Sequence, residues 1–140
     1  MQLELPDGAR LAYEVQGSGA PILLFRPLGG SLVSWDAFAE LLAQRIRVIT
    51  FDPRGVGQSS DAPWTWTTRR IADDARALLD HLEVARCHVY GISMGGMAAM
   101  WLAIDQAARV DRLVLASTVP LGVEFRYQAL GRGISLALCF

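Results

Sequence analysis

The sequence predicts an α/β domain: a mostly parallel sheet with helices on both faces. Three observations predict it. Short, almost uniformly apolar runs at residues 22–25, 47–51, 87–92 and 113–116 have the length of strands buried on both sides. Helical patterns lie between these runs, and each strand–helix–strand unit is long enough for a right-handed crossover. Strands alternating with helices in this way bury their apolar faces best as a covered parallel sheet.

In chain order, residues 2–5 and 9–15 alternate apolar with polar around Asp7-Gly8, the signature of a β-hairpin. Gly17-Ser18-Gly19 is a loop, and 22–25 is the first buried strand. Trp35, Phe38 and Leu42 recur at helical spacing behind Ser34, which predicts an N-cap at Ser34, with Arg45 in the last turn. After the strand 47–51, Thr67 caps an amphipathic helix over 68–82 in which Ile71, Ala75, Leu78 and Leu82 form one stripe. Strand 87–92, helix 94–104 and strand 113–116 follow. From 120 to 140 the pattern is helix-like, interrupted by Gly122, Gly131 and Gly133. Residues 1–118 therefore form the core, and 119–140 are expected to begin a cap or connecting helix.

Composition excludes several function classes. Apolar residues make up 52% and charged residues 19%, so a buried interior is expected rather than disorder. The net charge is −1 with the signs scattered, which offers nothing to nucleic acid or an anionic membrane. All thirteen basic residues are arginine, which removes the lysine amine that a Schiff base or a Walker-type phosphate loop requires. Cys87 and Cys139 lack metal-ligand spacing and sit among apolar neighbours, so buried free thiols, no metal and a cytoplasmic setting are expected. No cofactor motif is present. The apparent dinucleotide fingerprint after residue 51 fails because Ser60 stands where its third glycine belongs.

The chemistry concentrates at Gly91-Ile92-Ser93-Met94-Gly95-Gly96. A serine on a sharp strand-to-helix turn is strained, so the positions two residues away must be small, as Gly91 and Gly95 are. The Ser93 hydroxyl then stands clear of the sheet, and the Met94 amide at the helix start points to where an oxyanion would form. Glycine at ordinary frequency produces this five-residue pattern in roughly one chain in twenty, so its weight comes from lying between a buried strand and a buried helix. A second donor must come from the loop after an earlier strand. In Arg26-Pro27-Leu28-Gly29-Gly30, Pro27 has no amide to give, which assigns the donor to Leu28; the alternative is a loop that only connects strand to helix. Asp52-Pro53-Arg54-Gly55-Val56-Gly57-Gln58-Ser59 reads as a structural turn held by an Asp52–Arg54 network.

These motifs, in this order and at this spacing, resemble the α/β-hydrolase superfamily over nearly the whole chain. Within it the sequence is most similar to the 3-oxoadipate enol-lactone hydrolases, on Leu28-Gly29 and the following Trp35-Asp36. Arg26 and Pro27 depart from the superfamily's usual His-Gly before the donor. The resemblance implies Ser93 as nucleophile, with Leu28 and Met94 supplying the oxyanion amides.

In this fold the acid and histidine of the triad follow the serine. Here His81 and His88 both precede Ser93, and only Asp105, Asp111 and Glu124 follow it as acids: neither Asp105 nor Asp111 lies at the C-terminal end of a predicted strand, and Glu124 is a weak candidate. The expectation is a serine hydrolase half for a small ester-like substrate. A second polypeptide would carry the missing strands, acid and histidine, with self-association as the lesser possibility. The alternatives are a non-catalytic binding or regulatory fragment and a truncated gene product. An open strand edge at 113–116 and an apolar tail at 134–140 underlie the expectation of a partner.

Overall fold

The computed structural model describes residues 1–60, 67–120 and 135–139. Its elements in order are β1 (Gln2–Glu4), β2 (Arg10–Gln16), β3 (Pro21–Phe25), α1 (Asp36–Ala43), β4 (Arg47–Phe51), α2 (Thr68–His81), β5 (Cys87–Ile92), α3 (Met94–Asp105), β6 (Val110–Ala116) and β7 (Ser135–Cys139). Among the described residues the strands form a single sheet in the order β1-β2-β4-β3-β5-β6-β7. The opening hairpin is antiparallel, with Leu3 opposite Leu11 and Gly8 in the turn at φ +82°. From β4 onward every pairing is parallel.

Period-two alternation places side chains on opposite faces of the sheet. Leu23, Phe25, Ile49, Phe51 and Val89 pack with Ala75, Leu78, Ala99 and Leu102 of α2 and α3. Leu24 and Val48 pack on the other face with Trp35 and Ala39. Phe25 and Phe51 meet edge to face, their ring centroids 5.5 Å apart. The covering on the α1 side is uneven. His88, Tyr90 and Ile92 of β5, with Val114 and Ala116 of β6, are only half-buried.

Helix α2 starts where its cap predicts: the Thr67 hydroxyl accepts from the Arg70 amide at 3.1 Å. Helix α1 does not. Residues Leu32–Trp35 first make a tight 3-10 turn, α1 begins at Asp36 without a side-chain cap, and it ends at Ala43, before Arg45. Trp35 is drawn into that turn by burial against Tyr90, with ring centroids 5.7 Å apart, and this packing sets the entry to the helix in place of Ser34.

The structure corrects two expectations near the C-terminus. Strand β6 is not an edge: β7 pairs with it in parallel, from Arg112 opposite Ser135 to Ala116 opposite Cys139. The expected helix is absent over Ser135–Cys139 because a five-residue apolar run satisfies the β6 backbone groups as a strand. Residues 121–134, including Glu124, and Phe140 lie outside the described residues.

Candidate active site

Parallel strands bring their C-terminal ends to one rim, and the candidate site sits there. Phe25 of β3 lies opposite Gly91 of β5, which lies opposite Leu115 of β6. Ser93 follows β5 at φ 53° and ψ −125°, with α3 starting at the next residue. A non-glycine residue in this region costs on the order of 1–3 kcal/mol and persists only where its surroundings hold it.

They do so on every side. The Ser93 amide donates to the Ala116 carbonyl at 3.0 Å, and its carbonyl accepts from the Gly96 amide at 2.9 Å and from the Thr118 hydroxyl at 2.6 Å. A Cβ at Gly91 would lie 2.7 Å from the Gly95 carbonyl oxygen, and one at Gly96 would lie 2.6 Å from the Thr118 side chain. At Gly95 it would strike the carbonyls of Phe25 and Arg26. All three glycines are thus required by close approach, and Gly95 presses the start of α3 against the chain leaving β3. Ser93 itself is exposed.

The loop after β3 turns tightly. The Gly30 amide donates to the Pro27 carbonyl at 3.1 Å, with Leu28 and Gly29 between them and Gly29 at φ +74°. That φ suits glycine at the third position of a type II turn. The Leu28 side chain is thrown into solvent. The loop is held from beneath by Asp52, whose carboxylate accepts the Leu32 amide at 2.6 Å and the Gln58 amide at 2.9 Å. Gly57, at φ +56°, leaves room for that carboxylate, and Gly55 is also left-handed at φ +73°.

Asp52 and Arg54 do not share a network, contrary to expectation. Asp52 faces the buried Arg26, Nη1 to Oδ1 3.5 Å. Arg54 turns the other way and binds Asp74, Nε to Oδ2 2.6 Å, and Asp7, Nη1 to Oδ2 2.5 Å. Side chains two apart in an irregular turn diverge, and each meets a different counter-charge. The Asp74 hydrogen bond raises the Arg54 pKa still further above its ordinary value. The Arg54 hydrogen bond chiefly lowers that of Asp7.

Both histidines lie elsewhere. His88 pairs with Ile22 near the start of β3 and contacts Asp111, Nδ1 to Oδ2 3.2 Å. Five residues of near-extended chain, about 16 Å, separate it from Ser93. The exposed His81 meets the Tyr13 hydroxyl at 3.1 Å. Asp105 is engaged by Arg69 at 3.0 Å and Asp111 also by Arg86 at 3.1 Å. Among the described residues no group of three acids, cysteines or histidines is placed to hold a metal ion, and no helix is long and apolar enough to cross a membrane. Cys87 is a buried free thiol whose pKa desolvation pushes up to about 12.

The family profile described as alpha/beta hydrolase fold matches residues 20–134. The chain belongs to the α/β-hydrolase family. Within this family it is 36% identical over 114 residues to 3-oxoadipate enol-lactonase 1 of Acinetobacter baylyi, covering 80% of this chain and 42% of that one. A hydrolase from Pseudomonas aeruginosa superposes with a TM-score of 0.80 at 41% identity, over 84% of this chain and 45% of that one. The enol-lactonase of Burkholderia xenovorans does so with a TM-score of 0.79 at 30% identity, over 84% and 46%. The chain therefore spans less than half the length of these α/β hydrolases. Sequence reasoning missed two parts of the candidate site, the Thr118 bond to Ser93 and the Arg26–Asp52 pair. Arg26 was visible as a departure from the family pattern, whereas Thr118 carried no signal.

Proposed function

We propose that Ser93 is the nucleophile of a serine hydrolase acting on an ester, lactone or thioester, with the Met94 and Leu28 amides receiving the oxyanion. The observation that carries this reading is the Ser93 backbone, held at φ 53° between β5 and α3 by bonds on both sides. The lactone chemistry in the names of two relatives supports a carbonyl substrate of this class. In this reading a second polypeptide supplies the histidine and the acid, because His81 and His88 both precede Ser93 and meet other partners. The Ser93 hydroxyl oxygen attacks the carbonyl carbon as that histidine takes its proton. The C–O or C–S bond to the leaving group then breaks, the histidine returns the proton to it, and water releases the acyl group by the same path.

Among the described residues β7 is the edge strand of the sheet, and that edge supports a protein partner. A cytoplasmic setting belongs to the same proposal, since the free thiol of Cys87 suits a reducing compartment. A second reading, a non-catalytic fragment that keeps the oxyanion pocket, is favoured by the commitment of both histidines to other partners.

The test is fluorophosphonate labelling of the isolated chain and of the assembly purified from its native host, each against Ser93→Ala. The isolated chain should label slowly and hydrolyse p-nitrophenyl acetate little faster than the Ser93→Ala variant, because a serine without its base loses about 10⁴-fold or more. The assembly should label rapidly. An assembly whose serine stays unlabelled decides for the non-catalytic reading, and a stable, well-dispersed monomer in light scattering removes the partner.

A further inference from the structure

A peptide unit is planar, and its carbonyl and N–H point in opposite directions. The Ser93 carbonyl and the Met94 N–H belong to the same peptide unit. Whatever fixes the carbonyl therefore also aims the amide. The Gly96 amide reaches that carbonyl from within the first turn of α3, at 2.9 Å. The Thr118 hydroxyl reaches it from outside the helix, at 2.6 Å, from the segment that follows β6.

Thr118 is itself tightly placed. Ser117 before it has φ 44°, a left-handed conformation unusual for serine, which turns the chain leaving β6 back over the elbow. One residue earlier, the Ala116 carbonyl accepts the Ser93 amide at 3.0 Å, so residues 116–118 grip Ser93 at both its peptide units. The Thr118 side chain fills the space a Cβ on Gly96 would need, 2.6 Å from that position, which fixes its rotamer against the first turn of α3.

We infer that Thr118 is a positioning residue: its hydroxyl fixes the Ser93–Met94 peptide plane and so aims the Met94 amide at the oxyanion site. The inference rests on the proposed role of Met94, but the orientation itself can be measured without turnover. Thr118→Val keeps the shape and removes the donor, whereas Thr118→Ser keeps the donor and removes the methyl group.

Residual dipolar couplings of the folded chain read the direction of the Met94 N–H against the amides of Ala98, Ala99 and Leu102 in the same helix. In Thr118→Val the Met94 coupling should shift beyond the scatter of those three, and in Thr118→Ser it should stay at the wild-type value. An unmoved Met94 coupling in Thr118→Val overturns the inference. So does a displaced coupling in Thr118→Ser, which would assign the positioning to methyl packing; this second variant decides if the first does not fold. In the native assembly, labelling of Ser93 should fall about tenfold in Thr118→Val, less than the 10²–10³ lost when an oxyanion donor is deleted, and recover to within about twofold in Thr118→Ser. Wild-type labelling no faster than Ser93→Ala would count against Ser93 as nucleophile, while the dipolar couplings still decide the role of Thr118.

Discussion

The Arg26 guanidinium lies 3.5 Å from the Asp52 carboxylate, with both side chains almost wholly out of solvent. This pair joins the chain leaving β3 to the chain leaving β4, and the same carboxylate caps the Leu32 and Gln58 amides. Removing the Asp52 charge takes a buried counter-charge from Arg26 and a charged acceptor from the Leu32 and Gln58 amides. Asp52→Asn should therefore destabilise the fold by about 3–5 kcal/mol. Urea denaturation checks this, and a loss under about 1 kcal/mol would mean that the pair is better solvated than its burial states.

Glycine positions allow a sharper comparison. At Gly95 a Cβ collides with the Phe25 and Arg26 carbonyls, whereas at Gly8, also in a turn, it meets nothing within 4 Å. Gly8→Ala should cost roughly 1–2 kcal/mol, from its positive φ alone. Gly95→Ala should cost more than that, because backbone on both sides must move, and it should loosen the Leu28 loop. Equal melting temperatures for the two variants would contradict the close approach at Gly95.

The buried thiol of Cys87 makes a pH prediction with a definite sign. Its pKa rises from 9.0 to about 12 on folding. Below pH 9 the thiol is protonated in both states. Above it the unfolded chain loses the proton and the folded chain does not, so stability should fall between pH 9 and about 12. Cys87→Ala should flatten that decline, and a thiol reagent at pH 8 should react with native Cys87 far more slowly than with the chain in urea.

Asp7 titrates with the opposite sign. The Arg54 hydrogen bond chiefly lowers its pKa below 3.8, so its contribution is present above that pH and is lost as pH falls through the lowered value. The side chain is 41% exposed, and solvent screening keeps the effect below about 1 kcal/mol. Wild type should exceed Asp7→Asn in stability at pH 6, and the gap should close in strong acid. A gap that persists at pH 2 would trace the difference to the side-chain amide, not the charge.

How much of this was legible in the sequence depended on range. Strand, turn and helix around Ser93 are contiguous, so Gly91, Ser93 and Gly95 announced the elbow by local geometry. The hairpin at Asp7-Gly8 and the Thr67 cap were legible for the same reason. The Arg54 partners, Asp7 and Asp74, lie 47 and 20 residues away and appear only when β-strands and α2 are assembled. Thr118 reaches Ser93 across 25 residues, a helix and a strand, with no periodicity to mark it. Residues 135–139 failed for another reason. A short apolar run suits a strand and a buried helix equally well, and only the pairing with β6 decides between them.

The central position of β3 has a consequence for synthesis. Its residue Ile22 pairs with Val48 on one side and His88 on the other. As the chain leaves a ribosome, β4 is available soon after β3, but the second flank stays bare until Ile92 has been made. At about 5–20 residues per second the wait between Phe51 and Ile92 is roughly 2–8 s. During that interval the apolar edge of Leu23 and Leu24 is open to a chaperone or to another nascent chain. The strand that ends the wait is the one that carries Ser93 to the rim, so closing the nascent sheet and building the elbow are one event.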